Sequence, residues 1–412
     1  MNEAGPIRKS ASELNKLAIH GGTPVRAAPM PPRLALGKDE RLMLQEVLDH
    51  YAGRKVDPGY QDVFEKLYTD RFVEMMGGGY ADAVATGTGA LYVAIAALEL
   101  PKGSEVIVSP ITDPGTLSAI VLNGLKPRLA DARPGSYNIG PEQFVERLTP
   151  NVSAAVIVHA IGFAADISQI VEAAHARGVK VVEDCSQSHF AKHKTRPVGT
   201  FGDIAAFSTM YRKAHMSGPS GGIVYSRNLD LFRNALAHAD RGKPRWREDF
   251  DDRDPSTYIA PALNFNANEL ACAIGCASLN RLPITITNRL AFVSDFVARL
   301  TDRTEICRPH RFMPTASPFI FPVIVDPESI DCSKIEFANA VRAEGIDLSP
   351  HYRYVVAEWP FIRPYLADDF GTPNARDFRD RTFNLYLNEN YGEQESRDAV
   401  KAIVKVEKHF KK

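Results

Sequence analysis

Residues 207–226 read FSTMYRKAHMSGPSGGIVYS, and the rest of the chain can be interpreted outward from them. An apolar strand ends at Ser208, a second short strand begins after Gly221 and Gly222, and Lys213 lies in the loop between them. A lysine amine in a site of low dielectric constant loses its charge more easily and becomes a nucleophile toward carbonyl groups. A lysine that reaches water from a surface loop is the ordinary alternative. The sequence on either side of Lys213 is needed to distinguish a nucleophilic lysine from a surface lysine.

Apolar strands alternate with helical segments between about residues 80 and 240. The strands are clearest in EVIVS at 105–109, AAVIVH at 154–159 and VKVVE at 179–183, with helical patterns at 90–98, 116–125 and 166–177. Strands that are apolar on both faces and alternate with helices are typical of a parallel sheet covered by helices. The sequence therefore predicts an α/β fold with a large, mostly parallel sheet sandwiched by helices.

Changes in composition along the chain predict three segments. Residues 1–15 are polar and are expected to form a flexible N-terminal arm. Residues 16–285 are expected to form the large α/β domain, which carries the site. Separate helices are predicted at 267–281 and 287–303, on either side of the boundary. Residues 286–412 are expected to form a small C-terminal α+β domain.

The composition argues against several classes of protein. A net charge of −1 over 412 residues gives no reason to expect nucleic acid or an anionic membrane as a partner. No apolar run approaches the roughly 20 residues of a membrane span, and the polar N-terminus lacks the apolar core of a signal peptide, so we expect a cytoplasmic protein. Cys272 with Cys276 and His189 with His193 have one-turn spacing but no third ligand, and we predict no metal site.

Ligands of open α/β sheets bind beyond the carboxyl ends of strands, and the loop TGTG at 86–89 lies at such a position. Gly87 and Gly89 let the backbone approach a ligand, and Thr88 adds a hydroxyl. The free N–H groups at the start of the following helix favour an anion. Small residues that only make a tight turn would have the same sequence. The loop is a candidate phosphate site.

Two further loops carry reactive groups at strand ends. Asp184 follows the strand VKVVE, with Gln187 three residues later, and this carboxylate could either face a cationic ring nitrogen or cap the next segment. Ser208 and Lys213 follow the next strand. Together with the anion site, these are the parts needed to hold pyridoxal 5'-phosphate, with the lysine as a Schiff base and the carboxylate keeping the pyridine nitrogen protonated.

Six segments, in order along the chain, resemble the DegT/StrS-type sugar aminotransferases, a branch of the fold-type-I pyridoxal phosphate enzymes. They are LAIHGGTPVR, VATGTGAL, VEDCSQSHFA, VGTFGDIAAFS with its lysine and glycine pair, LNFNANELACAIG and RTFNLYLNENY. The resemblance implies that Lys213 forms the Schiff base and that Asp184 partners the pyridine nitrogen. It also implies a homodimer with shared active sites, because Asn264 would reach the phosphate of the other subunit. The other cofactor contacts that it implies are Gly87, Thr88, Gly89, Gln187 and Ser208.

The activity that this resemblance implies is a ping-pong transamination. An amino group would move from glutamate or glutamine to a keto group of a sugar, nucleotide-linked or from an antibiotic pathway, or of a cyclitol, as in amino sugar biosynthesis. The lysine at 213 argues against the dehydratase branch, in which that lysine is lost. A pyridoxal phosphate-dependent lyase, dehydratase or oxidative enzyme on the same scaffold is the alternative reading, and a non-catalytic cofactor-binding partner subunit is another.

The chain departs from the family pattern near the substrate. Asp113 occupies the position of the aromatic residue that stacks on the cofactor ring, so it is either a polar contact of cofactor or substrate or a turn-forming residue before Pro114. The loop SGPSGG is one residue longer than usual, and Asn266 replaces an arginine. Several side chains could contact substrate, although each could equally be a surface or packing residue. These candidates are Tyr211, Arg212, His215, His351 and Arg353.

Overall fold

The computed structural model describes residues 16–412, so the arm expected at 1–15 lies outside the described residues. Strands are numbered along the chain, and the first nine are β1 (Tyr80–Val84), β2 (Glu105–Val108), β3 (Lys126–Leu129), β4 (Val152–Val158), β5 (Lys180–Asp184), β6 (Lys192–His193), β7 (Arg196–Pro197), β8 (Ile204–Ser208) and β9 (Gly222–Ser226). Seven of these form the central sheet in the order β1-β9-β8-β5-β4-β2-β3, and β6 and β7 form a separate hairpin. Only β9 runs antiparallel to its neighbours within that sheet. The expected mostly parallel sheet is confirmed.

Helices cover the sheet. They are α1 (Lys38–Arg54), α2 (Val63–Met76), α3 (Gly87–Ala96), α4 (Pro114–Leu122), α5 (Pro141–Glu146), α6 (Ile167–His175) and α7 (Leu229–Ala239). Successive residues of one strand belong to different buried clusters. Val156 packs with α3 and α4, whereas Ile157 packs with α5 and α6. Both faces of the sheet are therefore buried, which explains why the strand sequences are apolar throughout. The α/β architecture with helices on both faces is confirmed.

The remaining elements form a second, smaller sheet with its own helices. They are α8 (Glu269–Thr301), β10 (Cys307–Pro309), β11 (Ile320–Val325), α9 (Lys334–Ala343), β12 (Leu348–Ser349), α10 (Pro373–Arg381), β13 (Thr382–Tyr386) and α11 (Glu393–Phe410). The strands pair antiparallel in the order β10-β11-β13-β12. Their buried residues share one apolar cluster with Phe292 and Phe296 of α8 and with α11.

The two helices expected at 267–281 and 287–303 are one helix, and that expectation is wrong. The helix α8 runs through 33 residues with Pro283 inside it. A proline inside a helix loses a hydrogen bond, but buried residues on both sides, among them Leu282 and Thr285, hold the helix together. This helix is long and apolar enough to cross a membrane, yet half of its most apolar window is buried within the described protein. The domain boundary near 285 falls inside the helix and stays a prediction.

Candidate active site

A cavity of about 230 Å³ opens at the carboxyl ends of β5 and β8, beside the starts of α3 and α4. Parallel strands end at the same edge of the sheet, so residues distant in sequence meet here. The cavity brings together seven of the nine residues that the sequence predicts as cofactor contacts. Those that line it are Gly87, Thr88, Asp113, Asp184, Gln187, Ser208 and Lys213.

The start of α3 forms one end of the cavity. Thr86 is the N-cap, and its Oγ1 accepts a hydrogen bond of 2.8 Å from the N–H of Gly89. The helix begins at Gly87, so the expected turn at 86–89 is instead the cap and first turn of the helix. A Cβ on Gly87 would lie 2.4 Å from the Cβ of Ser208. Only glycine allows the helix N-terminus to approach this strand end so closely.

Gly89 lies on the other side of the same turn. It does not line the cavity, and a Cβ there would lie 2.8 Å from Cδ1 of Phe265. Gly89 is therefore required for packing against the segment that leads into α8. The candidate phosphate site consists of the first N–H groups of α3, the hydroxyl of Thr88 and the hydroxyl of Ser208.

Asp184 is the last residue of β5, and its side chain faces the cavity while being only 3% exposed. Its Oδ2 accepts a hydrogen bond of 3.1 Å from Oγ1 of Thr116, and its Oδ1 accepts one of 3.0 Å from the N–H of Ser186. Thr116 is in turn 2.7 Å from Oγ1 of Thr112. One carboxylate oxygen is thus oriented by α4 and the other by the loop that follows β5, which together fix the orientation of Asp184.

Glu183 precedes Asp184 on β5 and points to the opposite face, as alternate strand residues do. It accepts hydrogen bonds from Nε2 of His159 at 3.0 Å and from the N–H groups of Gly199 and Gly202. Burial by itself would raise the pKa of Glu183, but these hydrogen bonds lower it. His159 accepts a bond from Ala165 through Nδ1, so it is a buried histidine with both nitrogens engaged. This pair fixes the loop before β8.

Lys213 lies between β8 and β9, partly exposed, and its side chain lines the cavity. Burial lowers the pKa of the Lys213 amine, while the carboxylates of Asp184 and Asp113 act in the opposite direction. Its Nζ lies 4.7 Å from the centre of the Phe319 ring, an apolar contact from the segment before β11. The amine therefore has the depressed pKa that favours a neutral nucleophile, and carboxylates nearby that keep it within reach of protonation.

Gln187 contacts Tyr352, a residue that was not predicted from the sequence. Its Oε1 accepts a hydrogen bond of 2.7 Å from the N–H of Ile161. Its side chain also bonds Tyr352, whose pKa is raised by burial and lowered by that bond. Tyr352 is 8% exposed, and it also interacts electrostatically with Asp113. From PHYRY, the sequence analysis selected His351 and Arg353, the two neighbours of Tyr352. Side chains alternate along an extended segment, so Tyr352 would have been expected on the opposite side from these two residues.

Asp113 is the N-cap of α4. Its Oδ1 accepts a hydrogen bond of 2.9 Å from the N–H of Gly115, and Pro114 is the first residue of the helix. The ordinary reading of an aspartate before proline therefore holds. Asp113 also lines the cavity, so the capping role leaves room for a contact with a ligand.

His215 is the clearest correction among the candidate substrate residues. It is fully buried, with Nε2 bonded to the hydroxyl of Tyr68 and Nδ1 to Oγ of Ser278. Burial, together with the charges of Arg33 and Arg281, lowers the pKa of His215 to about 3. It does not line the cavity. The position next to the lysine loop suggested a contact with substrate, but the side chain turns into the core behind that loop.

The other candidates do not line the cavity. Tyr211 is 51% exposed and carries the guanidinium of Arg212 at 5.3 Å from its ring centre. His351 lies beside Lys334, and Arg353 is exposed. Asn264 is also exposed, and its Oδ1 accepts hydrogen bonds from Asn266.

Comparison with known sequences identifies the family of the chain. A profile of the DegT/DnrJ/EryC1/StrS aminotransferase family matches residues 36–404. The chain belongs to this family. The resemblance noted from the sequence is thus confirmed.

Individual relatives vary in how much of their length is matched. A putative L-glutamine:3-amino-2,3-dideoxy-scyllo-inosose aminotransferase of Streptomyces kanamyceticus is 31% identical over 88% of each chain. The protein MosB of Rhizobium meliloti is 38% identical over 42% of this chain, and the chain spans only 33% of MosB. The solved structure of an aminotransferase from Psychrobacter cryohalolentis superimposes with a TM-score of 0.83 at 25% identity, covering 91% of this chain and 98% of that one.

Pyridoxal phosphate is the cofactor of this family, and the residues present fit it. The glycine at 87 leaves a recess that a Cβ would fill, where helix N–H groups and the hydroxyls of Thr88 and Ser208 can hold a phosphate. Asp184 supplies a buried, oriented carboxylate for a pyridinium nitrogen. Lys213 supplies an amine with a lowered pKa in the same cavity.

Proposed function

We propose that this chain is a pyridoxal phosphate-dependent aminotransferase that moves an amino group from glutamine or glutamate to a keto group of a sugar or cyclitol. One observation carries the proposal. A single cavity at the sheet edge holds an anion site, an oriented carboxylate and an amine with a lowered pKa. Family membership supports the same activity.

The residues of the cavity have separate roles in the proposed reaction. The start of α3, with Thr88 and Ser208, binds the phosphate. Asp184 holds a proton on the ring nitrogen, so that the cofactor can take up electrons from the substrate when it is bound. Lys213, when it is not attached to the cofactor, would act as the general base and acid that moves a proton between carbon atoms of the reactants. Gln187, oriented by the N–H of Ile161, positions the ring edge.

A cyclitol ketone with glutamine as donor is the acceptor and donor pair that we favour. The relative from Streptomyces kanamyceticus, matched over most of both chains, is named for that chemistry. Among the described residues that line the cavity, Lys213 is the only cationic side chain. A nucleotide-linked sugar would need further cations for its phosphates, which a partner subunit or the exposed Arg212 and Arg353 would have to provide.

We further propose a cytoplasmic homodimer with shared active sites. Asn264 is exposed on the segment before α8 and does not line the cavity of its own chain, which supports a role toward the phosphate site of a partner. Mixing inactive Asn264→Ala and Lys213→Ala proteins tests this. Restored activity in mixed dimers supports sharing, and activity that never returns contradicts it.

The first experiment is the absorption spectrum of the purified protein with pyridoxal phosphate, before and after glutamine or glutamate is added. We expect a yellow band that an amino donor converts to the pyridoxamine phosphate form. Lys213→Ala should abolish the yellow band and reduce turnover by at least about a thousandfold, because the nucleophile and the proton carrier are lost together.

Lys66→Ala is the matched control, because Lys66 pairs with Asp70 on the surface of α2 at 74% exposure and should behave as wild type. A band that no amino donor changes would favour the lyase or oxidative reading. No band at all would refute the assignment of Lys213.

A further inference from the structure

The loop that carries Lys213 is held from outside by an arginine near the N-terminus. Arg33 donates hydrogen bonds of 2.8 Å to the carbonyl oxygen of Tyr211 and of 2.9 Å to that of Ala214. These carbonyls lie on either side of Lys213. The guanidinium therefore spans the backbone of the lysine loop, with the two bonds fixed by the planar fork of its nitrogens.

The third nitrogen of Arg33 connects this loop to the C-terminal part of the chain. Its Nε donates to Oε1 of Glu389 at 2.8 Å, and Oε2 of Glu389 accepts from Nη2 of Arg289 at 2.9 Å. Arg289 is 1% exposed. Charged groups this deeply buried are stable only when they are paired and hydrogen-bonded, so Arg33, Glu389 and Arg289 form one rigid unit.

The same unit reaches Lys213 from its other side. Nη1 of Arg289 donates to the carbonyl oxygen of Pro318 at 3.2 Å. The next residue is Phe319, whose ring lies under the amine of Lys213. One network thus holds the backbone around the lysine and the apolar surface against which its side chain rests.

We propose that Arg33, Glu389 and Arg289 are positioning residues, which hold the Lys213 amine in the orientation needed for attachment to the cofactor. The inference rests on the proposed role of Lys213. A guanidinium that bonded only Glu389 would serve stability alone. The two bonds to carbonyls that bracket Lys213 assign Arg33 the further role.

The chain offers a matched control in Arg26. This residue also precedes α1, donates to a backbone carbonyl at Ala28 and pairs with Asp398 of α11 at 3.0 Å. Its side chain is 12% exposed, against 14% for Arg33. It has no bond to the lysine loop among those of the described residues. Arg26→Ala therefore reports the cost of losing a comparable ion pair elsewhere.

The test compares Arg33→Ala, Arg33→Lys and Arg26→Ala in the full chain. Pyridoxal phosphate is added to cofactor-free protein, and the rate of attachment is followed by absorbance, with borohydride reduction and peptide mapping to identify the lysine. The melting temperature and the pH midpoint of the visible band are measured in parallel. Arg33→Lys can keep the pairing with Glu389 but lacks the planar fork that bonds both carbonyls at once, so it remains informative if Arg33→Ala does not fold.

We expect both Arg33 variants to slow attachment by roughly ten- to a hundredfold, since small displacements of a reacting group have effects of this size. The pH midpoint should also move. Arg26→Ala should lower the melting temperature without changing the rate or the midpoint. Attachment rates of the Arg33 variants within twofold of Arg26→Ala would overturn the inference. Wild-type protein that attaches no cofactor at Lys213 would instead refute the proposed function itself.

Discussion

The end of β5 and the start of α4 each present an aspartate to the cavity, and the two aspartates differ in burial and in hydrogen bonding. Asp184 is buried, and a residue 68 positions away in sequence, Thr116, orients one of its oxygens. Asp113 is exposed and bonds the N–H of Gly115, two residues later. Asp184 thus combines a long-range bond from Thr116 with a local bond from Ser186, whereas the hydrogen bond of Asp113 is local. The buried and oriented carboxylate of Asp184 suits a permanent partner such as the ring nitrogen of a cofactor. The exposed carboxylate of Asp113, which caps a helix, suits a secondary contact with the ligand.

Removing the charge of Asp184 should give the largest effect. Asp184→Asn leaves a pyridinium nitrogen without its anion in a buried site, which costs about 3–5 kcal/mol when one member of a buried pair is lost. The dissociation constant of pyridoxamine phosphate measures this, because that form binds without attachment to lysine. Asp113→Asn is the matched control and should change the constant far less. Equal losses in the two variants would erase the distinction between the carboxylates.

Removing the hydrogen bond that Thr116 donates to Asp184 should weaken cofactor binding by an intermediate amount. Thr116 is fully buried and donates to the carboxylate, and a hydrogen bond to a charged group contributes about 1.5–3 kcal/mol. Thr116→Val should weaken pyridoxamine phosphate binding by that amount in the same titration. Thr112→Val, which loses only the bond to Thr116, should cost about 1 kcal/mol or less. If the two valine variants bind equally, Thr116 does not orient Asp184.

The same contrast explains what could be predicted from the sequence. Lys213, Asp184, Ser208 and the glycine at 87 lie at strand ends, and the topology of parallel sheets alone brings such ends together. Their local patterns are short, so they could be found without knowing any long-range contact. The expected cofactor followed from these positions, whereas the family was predicted from the resemblance of six ordered segments.

The supporting residues could not be found in that way. Arg33 and Tyr211 are 178 positions apart, and Arg33 and Glu389 are 356 apart. No periodicity or motif encodes such pairs, because they meet only when distant parts of the chain pack together. The buried orientation of His215 depends on Tyr68 and Ser278 for the same reason.

Substitutions of Asp113 should give the smallest change in free energy. Two different substitutions distinguish its role as a helix cap from the effect of its charge. Asp113→Ala loses the N-cap and should lower the free energy of unfolding by about 1 kcal/mol, measured by denaturant titration. Asp113→Asn keeps a capping oxygen, so stability should change little.

The asparagine variant does remove a negative charge that raises the pKa of Lys213. Without that charge the ammonium form is less stabilised, so the pKa of Lys213 should fall. The amine would then become free at lower pH. The pH dependence of acylation of Lys213 in cofactor-free protein reports this midpoint. A midpoint that does not move in Asp113→Asn would mean that Asp113 acts only as a helix cap, and the two aspartates would then differ in function as well as in burial.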